Sequence, residues 1–222
     1  MPVRSSPESI YVDTVHFNVD SVNKIDDTPC MRRKKPERYH HGDLRHTLVV
    51  GAMRLLQSKS AAELSLRAVA RLAGVSPNAP YRHFASKDAL LAAVAEEGFR
   101  QLAAATAAAS GPPRKRLSQM GVAYVRFATD NPRLYGLMFG PVLKEWDRFE
   151  GLVAAADASF AVVVEAVGKV TGGGPKAAAR EAILAWSAVH GYAMLAIDGH
   201  LDACAADELP PPEELVRIIT GR

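Results

Sequence analysis

Apolar residues recur along most of this chain at spacings of three and four, and no stretch alternates strictly between apolar and polar positions. The first pattern belongs to helices with one buried face, the second to half-buried strands. An all-α fold is therefore predicted. A first helix fits 43–58, where Leu44, Leu48, Ala52 and Leu55 share a face. A second fits 65–72, with Ser65 suited to the N-cap and Leu66, Val69 and Ala70 facing inward. Ala73-Gly74-Val75 reads as a tight turn in which Gly74 can take a left-handed conformation. Ser76 and Pro77 suit the cap and first position of a short third helix, closed by Phe84 and Ala85. Ser86 caps a fourth, running from Lys87 to about 110.

Gly111-Pro112-Pro113 ends that helix. Further helices are predicted over 114–130, from Asn131-Pro132 to Gly140-Pro141, over 144–170 and over 176–199. Gly172-Gly173-Gly174 separates the last two; it follows no strand and reads as a linker, not a phosphate cradle. Pro210-Pro211-Pro212 introduces a final short helix from Glu213. Residues 1–30 are polar and aperiodic and read either as a disordered tail or as an extension upstream of a start at Met31. The organisation expected is a basic-ended tail over 1–38, a small helical head over 39–102 and a larger helical domain over 103–222.

Charge changes this picture. The net charge is +3, but residues 31–90 carry twelve basic and four acidic side chains, +8, while 91–222 carry thirteen and fifteen, −2. The middle block suits a polyanion and the C-terminal block does not. Apolar residues at 48% and aromatics at 7% fit a soluble helical protein. Two widely separated cysteines, Cys30 and Cys204, exclude a disulfide framework and fit a reducing cytoplasm. The longest uncharged stretch, 182–197, is short for a membrane span and contains Ser187, His190 and Gly191, so no membrane association is expected. His40, His41 and His46 do not make a metal-ligand set, and no cofactor is implied.

Two short helices joined by a glycine-containing turn are the helix-turn-helix pattern. Its second helix must project into a DNA major groove about 12 Å wide and reach base edges with its N-terminal residues. Those residues are Ser76, Asn78 and Ala79, with Tyr81, Arg82 and His83 on the next turn. Asn78 can bind adenine through two hydrogen bonds, and Arg82 guanine or a phosphate. Tyr81 and His83 suit phosphates. So does Lys87, at a helix start. The run Arg32-Arg33-Lys34-Lys35 with Arg38 reads either as a solvated tail or as a minor-groove arm.

The string from Leu66 to Leu91 closely resembles the DNA-binding domain of the TetR family of transcriptional regulators. The resemblance spans about residues 42–102, and its most specific parts are Gly74-Val75-Ser76, Tyr81-Arg82-His83-Phe84 and Ser86-Lys87-Asp88-Ala89-Leu90. It implies a three-helix head with Ser76, Pro77, Asn78, Tyr81, Arg82, His83 and Lys87 toward DNA, and Arg67 at a phosphate-contacting position. Two departures stand out. Pro80 replaces a branched apolar residue and removes a bond to the Ser76 carbonyl, so the helix is expected to start as a tighter turn. Ser58-Lys59-Ser60 stands where a glycine is usual.

Residues after 111 resemble the C-terminal domain of one TetR branch, named for a Trp-His-Gly signature, here Trp186, His190 and Gly191. The run from Asn131 to Gly140 looks like the same branch. Along the 176–199 helix, Ile183, Trp186, His190, Met194 and Ile197 share one face, and Ala182, Ala185, Val189, Ala193 and Ala196 another. The large face can line a core or a pocket; the small face permits close helix approach, as in a dimer. Tyr124, Phe127, Met138, Trp146, Trp186, His190 and Met194 are the candidate ligand-binding residues, with Tyr124 and His190 as polar groups. Each also reads as ordinary core.

The function expected is a homodimeric repressor, released from a palindromic double-stranded operator by a small, largely apolar effector. The dimer is expected to use the 176–199 helix and the last helix. An activator or an architectural DNA-binding protein remains the alternative. No nucleophile elbow, metal spacing or catalytic carboxylate pair supports an enzyme.

Overall fold

A computed structural model describes residues 44–172 and 174–203 of the chain. The described residues hold eight α-helices, three short 3₁₀ turns and no strand, so the fold is all-α. The head comprises α1 (Leu44–Leu56), α2 (Leu66–Leu72) and a 3₁₀ turn (Ala79–Arg82). It is followed by α3 (Lys87–Ala107), α4 (Pro113–Asp130), α5 (Pro132–Phe139), α6 (Glu150–Thr171), α7 (Pro175–Ile197) and the single turn α8 (His200–Ala203). The tail, His40, His41, Cys204 and the predicted helix from Glu213 lie outside the described residues.

The head forms as its caps and apolar spacing dictate. Ser65 Oγ accepts from the Ala68 N–H and Ser86 Oγ from the Ala89 N–H, each satisfying a donor that a helix start leaves free. Between α1 and α2, Gly51 allows close approach to Val69 and Leu72. Leu48, Ala52, Val69 and Phe84 close the core, nearly or fully hidden from solvent. Gly74 has φ +67°, the left-handed turn expected after α2. At the loop that departs from the family, the Ser60 N–H and hydroxyl both donate to Glu63 Oε2, at 2.8 and 2.7 Å.

Three expectations are corrected. The third helix is not an α-helix from Ser76 to Phe84; its regular part is the 3₁₀ turn Ala79–Arg82. Pro80 has no N–H to give the Ser76 carbonyl, which accepts instead from Ala79, one residue closer, at 3.0 Å. The long helix placed from Lys144 starts at Glu150, after a separate 3₁₀ turn at Trp146–Arg148. The two faces of α7 also divide differently. Ala182, Val189 and Ala193 are buried within the chain, so the small-residue stripe packs internally, where α7 meets α4 and α6. Outward lie Ile183, Leu184, Met194 and Leu195, 50%, 62%, 37% and 45% exposed.

α3 packs against α1 on one side and against α4, α5 and α6 on others, so it belongs to head and body alike. By length and composition, α6 is the one described helix apolar enough to cross a membrane; here it packs along α3, α7 and α4.

Candidate functional sites

The head presents a polar surface built on this short frame. Arg67 at the start of α2 is exposed, as are Ser76, Pro77, Asn78, Tyr81 and Arg82; His83 is half-buried. Pro80, the one buried member of the turn, anchors it to the core. Arg67 and Arg82 form no ion pair among the described residues, which leaves their charge to solvent or a ligand. The Lys87 ammonium donates to the Ala62 carbonyl. An ammonium has three donors, so this bond orients Lys87 without exhausting it.

The body is hollow. A cavity of about 870 Å³ lies among α3, α4, α5, α6 and α7, within the usual size range of small-molecule sites. Of the residues singled out in the sequence, Tyr124, Met138, Trp146 and Trp186 line it. Phe127, His190 and Met194 do not: Phe127 belongs to the core, His190 stands behind Tyr124, and Met194 faces outward. The sequence reading missed Phe99, Leu102 and Thr106 on α3, and Ser159, Phe160 and Val163 on α6. It also missed the rim loop after α5, with Leu143 and Lys144. One signal was present: Ser159 interrupts the otherwise apolar inward stripe Leu152, Ala155, Ala156, Val163.

Four polar side chains, Tyr124 and Tyr135 buried and Trp186 and His190 half-buried, form a single cluster beside the cavity. Trp186 Nε1 donates to the Tyr124 hydroxyl at 3.0 Å, Tyr124 and Tyr135 hydroxyls lie 2.8 Å apart, and Tyr135 reaches His190 Nδ1 at 2.6 Å. One assignment uses every proton in turn: Trp186 to Tyr124, Tyr124 to Tyr135, Tyr135 to His190 Nδ1. It requires a neutral imidazole protonated on Nε2. Burial favours that state, holding His190 below its ordinary value. Burial likewise pushes Tyr124 up to about 12 and Tyr135 higher still, so both stay protonated. The rings stack edge to face around this cluster, with Tyr124 and Tyr135 centroids 5.9 Å apart.

Head and cavity share an element. Leu137, Met138 and Phe139 on the last turn of α5 wall the cavity, while Arg133 on its first turn donates to the Gln57 carbonyl, just past the end of α1. Met138 also sits in a notch of α3: a Cβ on Gly98 would lie 2.6 Å from its Sδ. α5 thus touches the cavity, the head and α3 at once.

The comparisons agree with this geometry. Residues 48–94 match the family described as bacterial regulatory proteins, tetR family, and residues 117–218 match the tetracyclin repressor-like C-terminal domain. No curated protein matches the chain. Among solved structures, a protein of unknown function from Rhodococcus sp. RHA1 is 35% identical, over 84% of this chain and 95% of that one, with a TM-score of 0.66. A TetR transcriptional regulator from the same organism shares the fold at 18% identity, over 82% of this chain and 96% of that one (TM-score 0.62). So does a TetR family transcription regulator from Marinobacter aquaeolei VT8, at 16% identity over 81% and 94% (TM-score 0.57). With a helix-turn-helix head and a regulatory body both matched, the chain belongs to the TetR family of DNA-binding transcriptional regulators.

Proposed function

We propose that this protein is a homodimeric repressor whose grip on a palindromic operator is released when a small, largely apolar effector fills the cavity of its body. The observation that carries the reading is the shared element: α5 walls the 870 Å³ cavity and is hydrogen-bonded to the head. Operator contacts would come from Ser76, Asn78 and Arg82 at base edges, and from Arg67, Tyr81, His83 and Lys87 at the backbone, with Pro77 on the same face. The body belongs, on this reading, to the branch marked by Trp186, His190 and Gly191. Two of these serve the polar wall of the cavity: Trp186 lines it, and His190 holds the tyrosine behind it.

The dimer is supported by α7. Ile183, Leu184, Met194 and Leu195 make an apolar outward row of a kind that solvent-facing helices avoid. A second copy would cover it, and two heads would supply the half-site pair that one short reading turn cannot. Release needs an effector that prefers the DNA-incompetent state, by about 5.5 kcal/mol to move the balance from 1:99 to 99:1. In that state α5 shifts, Met138 presses on α3 at Gly98, and the heads leave register with successive major grooves. Genome-wide mapping of bound DNA identifies the operator. Calorimetry of an effector with and without that operator then tests the switch. Reciprocity requires the operator to weaken effector binding by the factor the effector weakens DNA binding; equal affinities would exclude it.

A further inference from the structure

The cavity's polar groups are almost all committed to the protein itself. Thr106 Oγ1 donates to the Leu102 and Ala103 carbonyls at 3.0 and 3.1 Å. The Tyr124 hydroxyl and the Trp186 indole N–H are consumed in the cluster with Tyr135 and His190. Lys144 and Asp157 are exposed residues of opposite sign at the rim, so together they give the mouth no net charge. Ser159 is the exception. It is 7% exposed, it lines the cavity, and its hydroxyl has no hydrogen-bond partner among the described residues. A serine inside a helix can bond the carbonyl four residues back, and this one does not. Its oxygen is not among the sealed, unpartnered atoms of the interior, so it opens onto the cavity.

Resting on the reading of the cavity as the effector site, we infer that its ligand is an uncharged, flat, aromatic or fused-ring molecule carrying one hydroxyl or carbonyl, which hydrogen-bonds Ser159. Three observations converge. Aromatic side chains line the cavity from five elements: Phe99 from α3, Tyr124 from α4, Phe139 from α5, Phe160 from α6 and Trp186 from α7. Their faces and edges favour ring systems over flexible chains. The inner wall offers no ionised side chain, since Tyr124 is protonated, so a charge carried inward would lose its hydration without compensation. A single uncommitted hydroxyl discriminates one polar group on the ligand, because a ligand lacking it leaves the serine buried and unpaired.

The chain supplies its own reporter, for its only two tryptophans, Trp146 and Trp186, both line the cavity. Pyrene, 1-hydroxypyrene and 1-pyrenesulfonate form a matched set that differs at one substituent and accepts energy from tryptophan. Titrated into the full-length protein, 1-hydroxypyrene should quench tryptophan emission saturably and bind about three- to tenfold more tightly than pyrene. The sulfonate should bind at least about tenfold more weakly than 1-hydroxypyrene. Ser159→Ala should abolish the preference, so that 1-hydroxypyrene and pyrene bind alike. Saturable binding with the sulfonate equal or ahead, with no preference for the hydroxyl, or with a preference that survives Ser159→Ala overturns the ligand class and leaves the effector cavity standing. No saturable quenching by any of the three overturns the cavity reading and this inference with it.

Discussion

The head and the body treat polar side chains in opposite ways. In the head, Arg67, Asn78 and Arg82 stand on the surface, over a core closed by Leu48, Ala52, Val69 and Phe84. In the body, Tyr124, Tyr135, Trp186 and His190 are turned inward and satisfy one another beside a large void. A solid core under surface charge makes a platform that can be moved without being deformed. A void edged by a closed hydrogen-bond cluster leaves a helix such as α5 a second position to occupy. On the proposed switch, the contrast points to α5 and α3 as the elements that move and to the reading turn as the one carried along.

The harshest test of that contrast places a charge in the body's packed seam. Ala193 is fully buried where α7 packs on its own chain, so Ala193→Glu should cost more than about 4 kcal/mol and unfold the body, seen in urea melts. Leu184→Glu, on the outward row at 62% exposure, should leave the melt of the isolated chain nearly unchanged and halve the mass in light scattering. If Ala193→Glu gave a stable monomer instead, the internal packing of the small stripe would be wrong.

On the head, a change should be read by DNA alone. Asn78→Ala should cost about 1–3 kcal/mol on the specific operator and little on random DNA. Lys87→Ala should weaken both alike and flatten the salt dependence by about one charge. Gel-shift titrations at several salt concentrations separate the two. Equal losses for Asn78→Ala would remove its base-reading role.

Within the body's cluster, Tyr135→Phe removes the hydroxyl that Tyr124 and His190 Nδ1 share but leaves their own 3.0 Å contact, and should cost about 1 kcal/mol in denaturant melts. The same cluster predicts a pH response. His190 is held below its ordinary 6.5 by burial, so the unfolded chain takes up this proton at a higher pH than the folded one. The contribution to stability is therefore full above 6.5 and falls as pH drops through the lowered value. His190→Asn, which keeps an acceptor for Tyr135, should flatten the slope below 6.5; an unchanged slope would show that His190 is not the group responsible.

The smallest effect on stability, and the sharpest on coupling, is expected at the α3 notch. Gly98→Ala adds a Cβ against the flexible end of Met138 and gains helix propensity, so melts should shift by less than about 1 kcal/mol. Met138 must move, and it lines the cavity. Probe binding should weaken while operator binding holds. A loss of operator binding with probe binding intact would mean that the notch serves the head and not the cavity.

Much of the head was legible in the sequence because its determinants are local. Ser65 and Ser86 cap helices wherever those helices are placed, Gly74 is needed by the turn, and Pro80 lacks its N–H in any context. Even so, the outcome at Pro80 went further than a tightened start, since the whole third helix is reduced to a 3₁₀ turn. In the body, Tyr124, Met138, Trp146 and Trp186 were found as large side chains without an assigned partner. Phe127 and Met194 met the same description and lie elsewhere. Periodicity gives a helix its faces but not the neighbour each face meets, and this is why the small stripe of α7 was read as a dimer seam.

By itself, then, the sequence determined the all-α class, the caps and breaks of most helices, the basic head and the identity of its exposed polar residues. These follow from hydrogen bonds and steric limits within a few residues of chain. Only the tertiary structure decided that Ala193 faces inward and Leu184 outward, that α5 joins cavity to head through Arg133, and that Ser159 keeps an unspent hydroxyl in an apolar void. Each of those depends on which surfaces of distant helices meet, α3 with α6 and α4 with α7. Packing across such separations is set by the sum of all side-chain shapes, which no local spacing records.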